Sequence, residues 1–176
     1  MKKILILPVL LLPVICSALS HGTDITLLKA IDLHRFQSLD HLFMLVTNTA
    51  KPIVVSAVIV LFIMGLVKSS DKMKLTAIQM VGSLIVTTII VLALKHIIDR
   101  PRPYITYPSI WHVAADNDGS FPSGHTSVCF AVATILSLNY RKRYIIIPFF
   151  VWAALVAYSR LYLGLHYPSD VAAGAV

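Results

Sequence analysis

The chain has 176 residues, 57% of them hydrophobic and only 13% charged. That balance excludes an ordinary water-soluble domain, in which about a quarter of residues carry charge. The formal net charge of +7 would suit a nucleic-acid partner, but the basic residues sit in short gaps between apolar runs, so no nucleic acid is expected and a bilayer explains them better. Cys16 and Cys129 lie inside apolar runs and are too few for a disulfide scaffold.

Uncharged runs cover residues 4–20, 52–67, 75–94, 126–140 and 144–159, each bounded by Lys, Arg or His. A helix of about 16 residues spans roughly 24 Å, slightly less than the ~30 Å hydrocarbon core, and snorkelling by Lys51, Lys68 and Arg141 closes the gap. Residues 1–20 follow Lys2 and Lys3 and end in Ala18, Leu19 and Ser20, which reads equally as a cleaved secretory signal or a first span. Pro13, Val14 and Ile15 are poor neighbours for a lipoprotein anchor at Cys16. In residues 21–51, Ile25, Leu28 and Ile31, then Leu39, Leu42, Phe43 and Val46, recur at helical spacing among Asp24, Lys29, Asp32, Arg35 and Asp40. This pattern predicts interfacial helices, with no catalytic part for Asp32 or His34. Strand patterns are absent. The expected fold is all-α, a polytopic transmembrane bundle of five to six spans with its core in residues 52–176.

Orientation follows from the basic residues. Lys2 and Lys3, then Lys68, Lys72 and Lys74, then Arg141, Lys142 and Arg143 all fall on one side if the runs alternate direction. That side is expected to be cytoplasmic. The opposite side receives residues 21–51, 95–125 and 160–170.

Three polar clusters lie on that outer side. The first runs from Lys95 to Pro103, where two prolines break the helix; if the helix persists to Arg102, that residue and Lys95 share a face and can converge on one anion. The second is Pro122-Ser123-Gly124-His125, directly before an apolar run. Ser123 or a neighbour is expected to cap that helix, whose free amides favour a phosphate, while Gly124 admits an oxyanion close to the backbone. The third contains Arg160, a forked cation suited to phosphate oxygens, and His166 and Asp170 in an H-x-x-x-D spacing. A helical turn there lets the carboxylate fix the imidazole tautomer and raise the nucleophilicity of the other ring nitrogen. The plainer readings are interfacial anchors, a serine cap and a terminal helix capped by Asp170. Cations concentrated at span ends imply a bound anion, and two histidines beside it imply that it reacts.

The patterns K-x6-R-P, P-S-G-H and S-R-x5-H-x3-D, carried by Lys95–Pro103, Pro122–His125 and Ser159–Asp170, resemble the type 2 phosphatidic acid phosphatase (lipid phosphate phosphatase) superfamily. The resemblance implies a phosphoesterase needing no metal or other cofactor. In it His166 attacks phosphorus, Asp170 orients that imidazole, and His125 protonates the leaving oxygen. Lys95, Arg102, Ser123, Gly124 and Arg160 would hold the phosphate oxygens and stabilise the five-coordinate transition state. His96 and Arg100 lie beside the motif without belonging to it. Asp116, Asn117, Asp118 and Gly119 carry a fragment of a calcium loop, but the glycine is misplaced and the bidentate Glu missing, so they read as a turn. Tyr104, Tyr107 and Trp111 read as interfacial aromatics near a substrate entrance. The family continues through another membrane helix, of which residues 171–176 look like the opening turn.

The resemblance points to a membrane lipid phosphate or pyrophosphate as substrate, hydrolysed at the outer, periplasmic face of a bacterial inner membrane. Undecaprenyl pyrophosphate, phosphatidylglycerophosphate, phosphatidic acid and lipid A phosphates are candidates. A vanadium haloperoxidase shares the anion cradle but is typically soluble. A protein that binds or transports a lipid phosphate without cleaving it would have no use for two positioned histidines.

Overall fold

The computed structural model describes residues 21–113 and 118–176. The apolar run at residues 4–20, with Cys16, lies outside the described residues, as do Asp116 and Asn117. Among the described residues the chain forms helices and no strands: α1 His21–Leu33, a 3-10 turn Gln37–Leu39, α2 Asp40–Asn48, α3 Ala50–Val67, α4 Asp71–Ile98, α5 Pro103–Thr106, α6 Gly124–Asn139, α7 Arg143–Tyr162 and α8 Pro168–Gly174. Three stretches, Gln37–Val67, Asp71–Thr106 and Arg143–Tyr162, are long and apolar enough to cross a membrane, and Gly124–Asn139 is a shorter apolar helix.

The outward faces of α3 and α4 carry exposed Ile59, Ile63, Leu66, Ile78, Ile85, Ile89 and Leu92. Such a belt is stable against hydrocarbon rather than water. Inward, small side chains set the helix spacing. Ala50 on α3, Cys129 and Ala133 on α6, and Ala153 and Val156 on α7 form one fully buried cluster, in which the lack of bulk lets the backbones approach. Val54, Met80, Val132 and Leu136 continue it between α3, α4 and α6.

Two element boundaries differ from the sequence reading. The apolar positions between residues 39 and 46 form α2, which is parted from the span at residue 52 by Thr49 alone; the Thr49 backbone is right-handed helical, so α2 and α3 make one near-continuous stretch. Nothing between Asn48 and Lys51 breaks a helix, and Pro52 falls in the first turn of α3, where its missing N–H is harmless. The helix that contains the third apolar run, α4, ends at Ile98, so the condition for Lys95 and Arg102 to share one helical face is not met. Asp99 takes a left-handed conformation (φ 41°) with its N–H on the Lys95 carbonyl, and Arg102 is extended.

The helices alternate in direction. At one end of the bundle the Asn139 side-chain amide donates to Gln79 Oε1 at 2.9 Å and the Lys72 ammonium lies 5.0 Å from the Tyr140 ring centre. At the other end the C-termini of α4 and α7 meet the N-termini of α6 and α8, and the polar motifs collect there. Enlarging the small-residue seam should separate the helices. Ala153→Leu is expected to lower stability by about 1–3 kcal/mol through overpacking, whereas lipid-facing Ile89→Ala should have little effect. Thermal denaturation in detergent measures both, and an unchanged midpoint for Ala153→Leu would contradict the packing.

Candidate active site

The site is built where the chain leaves the span ends. Lys95, in the last turn of α4, is 8% exposed, and its ammonium meets Asp118 Oδ2 at 2.9 Å and the Gly119 carbonyl. Arg102 donates from Nη2 to Asp118 Oδ1 at 2.5 Å, from Nε to the Asp118 carbonyl at 3.0 Å, and from Nη1 to the Leu165 carbonyl at 3.0 Å. One carboxylate thus bridges the two cations that the sequence paired, and chain reversal rather than a shared helical face brings them together. Burial opposes ionisation of Asp118, but the hydrogen bonds and charges of Lys95 and Arg102 outweigh it and hold the carboxyl at about 2.

The Pro122–His125 segment sits against the third cluster. The Ser123 N–H donates to the Asp170 carbonyl at 3.0 Å. Ser123 stands at the N-cap of α6 as expected, yet its hydroxyl does not cap the helix and instead accepts from Thr126 Oγ1 at 3.0 Å. Gly124 opens the helix and half-buried His125 follows in its first turn.

Arg160, in the last turn of α7, is 5% exposed and donates from Nη1 to Thr47 Oγ1 of α2 at 3.0 Å. The turn after it depends on Gly164, whose φ is +66° and where a Cβ would stand 2.0 Å from the Trp111 carbonyl oxygen. Only glycine fits. That turn delivers His166, 2% exposed, with Nδ1 3.5 Å from Asp170 Oδ2 and 3.4 Å from Ser120 Oγ. Asp170 also accepts the Tyr167 N–H at 2.9 Å, so it both caps α8 and faces the imidazole. Among the described residues no group of three or more His, Cys, Asp or Glu side chains is arranged to hold a metal.

The signature of the PAP2 superfamily matches residues 76–176, more than half of the chain. The chain belongs to the PAP2 superfamily. Its fold superposes on a transmembrane PAP2-type phosphatidylglycerolphosphate phosphatase from Bacillus subtilis with a TM-score of 0.78, at 23% identity and covering 97% of this chain and 88% of that one. It also superposes on Aquifex aeolicus LpxE, with a TM-score of 0.73 at 30% identity, covering 86% and 87%. Among curated relatives, a lipid A 4'-phosphatase from Bacteroides thetaiotaomicron is 48% identical over 56 residues, 32% of this chain and 25% of that protein. An undecaprenyl-diphosphatase from Sulfolobus acidocaldarius is 28% identical over 157 residues, 87% of this chain and 72% of that one.

Four residues outside the motifs join this PAP2 site. Asp118 and Ser120 come from the segment before Pro122, and Arg100 from the turn after α4. Asp24, 1% exposed, comes from α1. Arg100 donates to Asp170 Oδ1 and Asp24 Oδ2, each at 2.6 Å. Its proximity to the motif is a signal in the sequence, whereas Asp24 is there only one of several charged residues interspersed among the apolar positions of residues 21–51.

Burial pushes His166 down from 6.5 to about 4, and the positive fields of Arg160 and Arg102 add to burial against the opposing pull of Asp170. The ring is therefore neutral at physiological pH. Between pH 6.5 and 4 the unfolded chain binds a proton that the folded ring refuses, so this residue's contribution lowers stability as pH falls through that window. In an NMR titration of histidine-labelled protein in micelles, the resonance lost in His166→Ala should titrate near 4; a midpoint near 6.5 would contradict the buried geometry.

Proposed function

We propose that the protein is a lipid phosphate phosphatase acting through a phosphohistidine at the extracytoplasmic membrane surface. The observation that carries this reading is the buried His166 imidazole, whose Nδ1 faces Asp170 and Ser120 while the cations of Arg102 and Arg160 bear on the ring. Nδ1 is the nitrogen turned to the carboxylate, so the lone pair belongs on Nε2.

Catalysis then follows from charge. Phosphate oxygens replace the Asp118 carboxylate between Lys95 and Arg102, and Arg160 and the amides at the start of α6 complete the cradle. His166 Nε2 forms a bond to phosphorus as the bond to the lipid oxygen breaks, and His125 gives that oxygen its proton. Asp170 stabilises the positive charge that develops on the ring. Water, deprotonated by His125, attacks the phosphohistidine, and inorganic phosphate leaves with His166 restored. The metal-free character of these steps is part of the proposal.

Placement follows from the basic residues. Lys68, Lys72, Lys74 and Arg141 to Arg143 cluster at the bundle end opposite the site, and the positive-inside rule assigns that end to the cytoplasm of a bacterial inner membrane. The relatives matched over the larger share of their length carry the name undecaprenyl-diphosphatase, which makes undecaprenyl diphosphate the first substrate to test. Exposed apolar flanks of the spans accommodate any long hydrocarbon tail.

Phosphate release from undecaprenyl diphosphate, phosphatidic acid, phosphatidylglycerophosphate and lipid A in excess EDTA tests the reading. Wild type should turn over at least one of them, with His166→Ala lowering the rate by about 10³-fold or more. Turnover that requires an added divalent metal, or that survives in His166→Ala, would contradict it. Asp118→Asn tests the cradle separately. A neutral amide competes poorly for two cations, so inhibition by inorganic phosphate should tighten several-fold; an unchanged or weaker inhibition constant would show that Asp118 does not stand in the phosphate's place.

A further inference from the structure

The Asp170 carboxylate is 0% exposed, and its two oxygens are divided between different tasks. Oδ2 faces His166 Nδ1 at 3.5 Å and accepts the Tyr167 N–H and the Ser120 hydroxyl. Oδ1 is held by Arg100 Nη1 at 2.6 Å. The guanidinium is itself fixed from several sides: Nη2 donates to Asp24 Oδ2 at 2.6 Å, Nη1 also meets Ser169 Oγ at 2.6 Å, and the group stacks 3.9 Å from the Tyr167 ring centre. Asp24 in turn accepts the Ser169 N–H at 2.9 Å on Oδ1 and the Ser169 hydroxyl on Oδ2.

We propose that Asp24 and Arg100 are a positioning pair that locks the Asp170 carboxylate in the orientation His166 requires, which makes helix α1 part of the reaction machinery. The inference rests on the assignment of His166 as nucleophile and extends it by two residues outside the family motif. Stability alone does not account for the pair. A buried ion pair recovers little more than its desolvation cost, and apolar side chains would fill the same space at least as well. What an apolar replacement cannot do is hold Oδ1 so that the carboxylate plane does not turn. Arginine suits this because its planar fork reaches two carboxylates at once.

The groups facing Asp170 are Arg100 from the turn after α4, with Asp24 of α1 behind it, Ser120 from the segment before α6, and His166 and the Tyr167 N–H from the turn into α8. Without the Arg100 charge, Asp170 takes up a proton more readily, and a protonated Asp170 cannot stabilise the cationic imidazole of the transition state.

Steady-state kinetics over pH on the purified full-length chain, with undecaprenyl diphosphate and phosphatidic acid in detergent micelles, provide the test. Arg100→Gln should lower kcat about 10-fold or more, leave KM within about threefold, and move the acidic limb of kcat to higher pH. Arg100→Lys should restore the limb but only part of kcat, since an ammonium keeps the charge without the fork. Asp24→Asn should lower kcat by a smaller factor, and the double variant should be no slower than Arg100→Gln alone. A folded Arg100→Gln protein with unaltered kcat and limb would overturn the proposal, as would multiplicative losses in the double variant. If Arg100→Gln does not fold, Asp24→Asn and Arg100→Lys decide: a normal kcat in either, measured on folded protein, overturns it equally. If His166→Ala is inactive while the Arg100 variants are normal, only the positioning pair is wrong. If His166→Ala is active, the underlying assignment fails first.

Discussion

Charge buried at the rim of a hydrocarbon layer must be paired, and that requirement organises this molecule. Lys95, Arg102, Arg160, Asp24 and Asp170 are each less than a tenth exposed, and an isolated ion in such a place is too costly to persist. Lys95 and Arg102 are matched by Asp118, and Asp24 and Asp170 by Arg100, while Arg160 donates to the Thr47 hydroxyl. The pairing constrains backbone as well as side chains. The end of α4, the start of α6, the turn after α7 and the start of α8 are held together by groups that cannot be left alone.

The same constraint gives the N-terminal helices a purpose. Asp24 on α1 and Thr47 on α2 each hold a guanidinium of the site, and the Phe36 carbonyl between them accepts the Tyr162 hydroxyl at 2.6 Å. Residues set apart in the sequence as an interfacial preface are thus wired to the motif-bearing core. On the proposed function, a site made from helix ends in this way presents buried, hydrogen-bonded polar groups to the phosphate and apolar flanks to the hydrocarbon tail.

Much of this was legible in the residue order. Charge-free runs between basic gaps located the helices because hydrocarbon tolerates few alternatives, and Lys95, Arg102, His125, Arg160, His166 and Asp170 stood out as polar groups at span ends. The residues missed have physical reasons of their own. Asp24 and Arg100 are 76 positions apart, and no periodicity links two sites joined only by tertiary packing. Asp118 lies in a stretch of Asp, Asn and Gly that has the grammar of a turn, so its carboxylate gave no hint of the two cations it bridges. The prolines at 101 and 103 marked the end of that helix in the sequence, so a face shared by Lys95 and Arg102 was conditional on its persisting; the left-handed turn at Asp99 that ends it is visible only in the folded chain.

The central claim is that the His166 imbalance of burial and charge makes its ring a nucleophile toward phosphorus. Rapid quenching into alkaline detergent after mixing the protein with lipid phosphate labelled at its terminal phosphorus tests that most directly. The account predicts label that is stable to alkali, labile to acid and located on residue 166. Active protein that carries no such label at any time during turnover would contradict it.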